Sequence, residues 1–101
     1  MPIDKSVIAA LEKAVEAEPE NKSLRLHLAF LLYDDEQFQS ALAHCRTILN
    51  REPANLDALE KAAQSAEKLG EASVADGYRR LLDALRKTTA AAATRRFLPA
   101  G

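Results

Sequence analysis

A chain of 101 residues, 48% apolar and 29% charged with a net charge of −1, reads as one globular domain that can bury roughly 60–70% of its unfolded surface. No apolar run approaches the ~20 residues that a membrane-spanning helix needs, and the opening MPIDKSVIAALEKAV is charged from the start, without a signal-peptide hydrophobic region. One cysteine, Cys45, excludes an intrachain disulfide, which fits the cytoplasm. The near-zero charge hides an asymmetry. Up to Tyr78 there are 8 Lys and Arg against 14 Asp and Glu, net −6; from Arg79 onward six basic residues and Asp83 give +5.

The first helix is expected from near Asp4 or Ser6, either of which can cap it, to about Ala17. Its apolar face is Val7, Ile8, Leu11, Ala14 and Val15. Asn21 then caps a second helix ending at Tyr33 or Asp34. The segment LRLHLAFLLY within it has only Arg25 and His27 as polar residues. At helical spacing Leu24, Leu28, Leu31 and Leu32 form one stripe, while Leu26, Phe30 and Tyr33 fall nearly opposite. A helix apolar on most sides must be covered on most sides, so neighbours are expected before it, after it and alongside it.

After the polar break Asp34-Asp35-Glu36-Gln37, a third helix is expected from Gln37 to Asn50, facing inward with Phe38, Ala41, Leu42, Cys45, Ile48 and Leu49. Pro53 blocks its continuation and Asn55 caps a fourth, Leu56 to Leu69, whose Ala58, Leu59, Ala62, Ala63, Ala66 and Leu69 permit close backbone approach. Gly70 tolerates the left-handed conformation that ends helices. A fifth helix runs from Ala72 to Arg86 or Lys87, with Val74, Ala75, Tyr78, Leu82 and Leu85 inward. Gly77, in its middle, has no explanation in the sequence. Residues 88–101 are set apart as an Ala-rich basic tail or linker. Alanines there favour helix, Thr88 and Thr89 oppose it, and Pro99 ends it.

Two punctuation marks measure the chain. Pro19-x-Asn21 recurs as Pro53-x-Asn55, thirty-four residues later. A fixed period of that length holding two short helices points to stacked helical hairpins. The spacing resembles the tetratricopeptide repeat, or TPR, whose places are held here by Arg25, Leu28-Ala29, Leu32, Ala41, Cys45 and Pro53. The next register holds Leu59, Ala62-Ala63, Ala66, Gly70, Ala75 and Arg79, with Lys87 at the proline place. The pattern follows size and polarity rather than identity: residues 19–52 and 53–86 agree at only five positions. The resemblance implies an all-α, five-helix hairpin array, a TPR-like α-solenoid with a right-handed superhelical stack. It would comprise a TPR-like domain at 1–87, with a half-repeat at 4–18 and repeats at 21–53 and 55–87. A plain antiparallel bundle is the competing fold.

Such an array presents the first helices of successive hairpins on a concave surface, which TPR proteins use to hold peptides or helices. Here that surface would carry Leu26, Phe30 and Tyr33 at an apolar end and Asp57, Glu60, Gln64 and Glu67 at an acidic end. A basic, apolar protein or peptide partner would fit it. Phe30 and Tyr33 are either anchors for that partner or residues covered by the first helix, and a leading half-repeat favours the second. TPR domains that clamp a carboxylate place Lys and Asn where this chain has Leu26 and Phe30, so that role is not expected.

Other chemistry is less well served. His27, His44 and Cys45 have no zinc-motif spacing, and the adjacent His44 and Cys45 point to different faces. Asp34, Asp35 and Glu36 read as a solvated turn without a calcium-loop glycine. No phosphate-cradling loop, catalytic triad or His-Glu metal motif occurs, so neither an enzyme nor a cofactor is expected. The basic end from Arg79 reads as a solvated helix end rather than a nucleic-acid site, since only Phe97 accompanies the late arginines. A sharper expectation is that Arg95-Arg96-Phe97-Leu98 docks on the Phe30/Tyr33–Glu60/Glu67 groove of its own chain or a neighbour's. That would allow a homodimer through groove or tail. Besides a non-catalytic interaction module, two readings stay open: the regulatory N-terminal domain of a larger enzyme such as a bacterial AAA-type ATPase, and a self-associating structural piece.

Overall fold

The computed structural model describes the backbone of residues 4–97 and the side chains of residues 4–88. Among the described residues there are five helices and no strand: α1 Lys5–Ala17, α2 Lys22–Asp34, α3 Phe38–Arg51, α4 Leu56–Lys68 and α5 Ala72–Phe97. Side chains start three of them. Asp4 accepts from the Ser6 amide at 2.9 Å, Asn21 from Leu24 at 3.0 Å and Asn55 from Ala58 at 3.0 Å, each satisfying a donor that the first turn leaves free.

The thirty-four-residue ruler of the sequence is also a ruler of geometry. Lys22, Asp34 and Phe38 bound helices in the first hairpin, and Leu56, Lys68 and Ala72 do so thirty-four residues on. The turns repeat bond for bond. Asp35, Glu36 and Gln37 donate to the carbonyls of Leu31, Tyr33 and Leu32; Leu69, Gly70 and Glu71 donate to those of Ser65, Glu67 and Ala66. In both turns the middle residue is left-handed, Glu36 at φ 63° and Gly70 at φ 79°. The Pro19 and Pro53 turns match as well, with Asn21 donating to the Glu18 carbonyl and Asn55 to that of Glu52, both at 3.0 Å.

Each helix packs on its neighbours in the chain, and α2 also touches α4. Helix α2 is thus covered from three sides, by α1, α3 and α4, as its apolar girth requires. Two clusters form the core. Ile8 and Val15 of α1 meet Leu28 and Leu32 of α2 and Ala41 of α3. Ala29 meets Leu42 and Cys45 of α3, Ala62 and Ala66 of α4 and Ala75 of α5. The small residues of α4 are what allow it to sit against α2, α3 and α5 together.

Three expectations change. Val7, assigned to the inner face of the first helix, is 45% exposed, and Leu69 at the end of α4 is exposed too. Ser65 is fully buried, and its hydroxyl has no hydrogen-bond partner among the described residues. The fifth helix does not end at Arg86 or Lys87 but continues to Phe97, so the helical option for the tail is the one taken. The threonines fail to stop it because each lowers helix propensity by less than about 1 kcal/mol relative to alanine; the Thr88 hydroxyl donates to the Ala84 carbonyl at 3.0 Å. At 26 residues α5 is about 39 Å long, and the molecule is elongated, 58 × 31 × 28 Å. The side chains of Arg95, Arg96 and Phe97, and all of Leu98, lie outside the described residues.

Candidate partner-binding groove

Because α2 and α4 lie side by side, their outward faces form one surface. Two depressions run along it, and a third adjoins the second; neighbouring ones share walls. The first, about 220 Å³, is lined by Ser23, Leu26, His27 and Phe30. The second, about 150 Å³, is lined by Phe30, Asp57, Glu60, Lys61 and Gln64. The third, about 310 Å³, lies between α4 and α5, against Glu60, Ala63, Gln64, Arg79, Leu82, Asp83 and Arg86. Phe30 joins the first two, and Glu60 and Gln64 join the second to the third. Of the seven residues expected on the concave surface, Leu26, Phe30, Asp57, Glu60 and Gln64 line this continuous trough.

Tyr33 and Glu67 do not line it. The Tyr33 ring is half-buried against the α1–α2 cluster and meets Phe38 edge-on, with centroids 5.2 Å apart. Phe30 is different: it stays 37% exposed, so α1 does not cover it. The first helix shares a cluster with Tyr33 and leaves the other aromatic open.

Charge in the trough departs further from the sequence reading. The acidic end is already partnered by arginines of α5. Glu60 pairs with Arg86 at 3.1 Å, and Glu67 pairs with Arg79. All four side chains are about half exposed, so each pair contributes little to stability. Asp57 makes no ion pair among the described residues.

Lys61, which apolar periodicity gave no reason to single out, reaches from α4 to α2. Its ammonium lies 4.8 Å from the centroid of Phe30 and 4.1 Å from that of Tyr33, and it donates to Gln64 Oε1 at 2.8 Å. Such cation–π contacts are worth about 0.5–1 kcal/mol each at exposed sites.

No family model matches the sequence, and no curated protein is significantly similar to it. Residue chemistry and geometry are therefore what bear on function.

The remaining reactive groups are held in structural settings. Cys45 is fully buried, and burial pushes its thiol up to about 12, which keeps it protonated and unreactive in the folded chain. His44 Nδ1 lies 3.0 Å from Arg25 Nη1, so the ring accepts from the guanidinium and carries its own proton on Nε2. Burial first, then the charge of Arg25, hold His44 below its ordinary value of 6.5. Asp35 is held below the usual carboxylate range by hydrogen bonds from Lys5 at 2.9 Å and Gln37 at 2.7 Å, which tie α1 to the α2–α3 turn. Among the described residues no three His, Cys, Asp or Glu side chains come together as a metal site would require, and no helix is long and apolar enough to cross a membrane.

Two signals in the sequence would have found what was missed. Glu60 and Glu67 are seven apart on α4, as are Arg79 and Arg86 on α5, and antiparallel helices bring such sets into register. Shifting Gly70 back by thirty-four residues would have marked Glu36 as left-handed. Nothing in the sequence of α2 or α4 alone announces the reach of Lys61.

Proposed function

We propose that this chain is a non-catalytic interaction module, a short TPR-like stack of helical hairpins that holds a peptide segment along the α2–α4 trough. The observation that carries the reading is Phe30: a large aromatic residue left open where two depressions meet, on the face where α4 lies beside α2. Exposed aromatics in such settings dominate binding energetics. The recurrence of helix bounds and turn bonds every thirty-four residues supports the hairpin stack.

The partner that fits has an apolar side chain for the Leu26–Phe30 depression and a basic residue for Asp57, the trough carboxylate without an ion pair among the described residues. Glu60 and Glu67 contribute less than their number suggests, since a basic ligand must compete with Arg86 and Arg79. The reading is tested by selecting peptides from a random library against the wild-type chain and measuring their affinity for variants. Phe30→Ala and Asp57→Lys should each weaken selected peptides by about tenfold or more, at least about 1.4 kcal/mol. Unchanged affinity for both variants, with circular dichroism as in the wild type, rejects the trough as the binding site.

A further inference from the structure

The largest of the three depressions, between α4 and α5, has a counterpart that is occupied. In the first hairpin, α2 and α3 seat α4: Ala29, Leu42 and Cys45 meet Ala62 and Ala66, with Leu49 packed against them. Thirty-four residues on, the same places of the second hairpin hold Ala63, Asp76, Arg79 and Asp83. Ala63 remains buried, and Leu82, counterpart of the buried Ile48, still forms part of the floor. The other three are charged and exposed. Arg79 is partnered by Glu67, and Arg86 beside it by Glu60.

We propose that the outer face of α5 is a charged cap that keeps a second copy of this chain from seating a hairpin where the first hairpin seats α4. The inference rests on the stacked-hairpin reading. In stacked arrays an apolar seat left open invites association, and a polar one does not. Seating an apolar helix there would strip Asp76 of water without supplying a partner and would bury the Arg79–Glu67 and Asp83–Lys87 pairs. The charged seat likewise opposes head-to-tail assembly, whose contacts would be heterologous and open-ended.

The test restores the residue types of the first hairpin. In sedimentation velocity over a concentration series, Asp76→Leu/Arg79→Ala/Asp83→Leu should self-associate at least about tenfold more tightly than the wild type. Asp76→Lys/Asp83→Lys should leave the association state of the wild type unchanged. A folded triple variant that associates no more than the wild type overturns the proposal. So does a wild-type oligomer that the double lysine variant dissolves, because the face would then already be an interface. Should the triple variant fail to fold, Asp83→Leu alone is measured, with a rise in association expected and its absence counting against the cap. Loss of peptide binding by Phe30→Ala bears on the trough alone, so the two readings fail separately.

Discussion

At the scale of single residues, backbone conformation separates the two glycines of the second hairpin. Gly77 lies inside α5 with nothing within 4 Å of where a Cβ would stand. No packing demand explains it, and Gly77→Ala should stabilise the chain by about 0.5–1 kcal/mol in urea unfolding. Gly70 has the same open surroundings but a φ of 79°, so Gly70→Ala should cost about 1 kcal/mol by strain alone. His44 predicts a pH dependence with a definite sign. Its folded-state value lies below 6.5, so the unfolded chain takes up the proton first and stability falls as pH drops below 6.5. Thermal melts between about pH 7.5 and 5.5 should show a steeper loss for the wild type than for His44→Gln, whose amide can still accept from Arg25. An equal loss in both would place the pH sensitivity elsewhere. The left-handed conformation of Glu36 was not foreseen, since a glutamate gives no local sign of it, whereas Gly70 did.

At the scale of elements, boundaries were legible wherever a side chain or a ring enforces them. Asn21, Asn55, Pro19 and Pro53 act through local bonds and sterics, so they place α2, the end of α3 and the start of α4 without tertiary knowledge. The end of α5 is not set that way. Thr88 and Thr89 lower helix propensity only slightly, and the four alanines that follow them favour helix. The ion pairs Glu67–Arg79 and Glu60–Arg86 mark how α4 and α5 run past each other. Continued by the same step, Leu56 at the start of α4 stands opposite residue 90, and the rest of α5 passes beyond that helix. Truncation after residue 90 should therefore lower the helical signal in circular dichroism while leaving the melting temperature within a few degrees. A large drop in melting temperature would show that the end of α5 stabilises the body.

At the scale of the whole molecule, sequence period led to contact order among helices, while electrostatics did not follow from it. The apolar girth of α2 required three neighbours, and α1, α3 and α4 supply them. The basic end reads in the sequence as a solvated helix end, yet two of its arginines pair inside the chain. Arg79 and Arg86 sit on α5 facing the α4 carboxylates, which only the pairing of the two helices reveals. Lys61 escaped for the same reason: its two rings belong to another helix. The lone thiol of Cys45 lies in the cluster shared by α2, α3, α4 and α5, fully buried and protonated. A soluble disulfide reagent can meet it only when those four helices part. The chain thus carries its own clock for breathing motions, readable by the rate of labelling without any introduced probe.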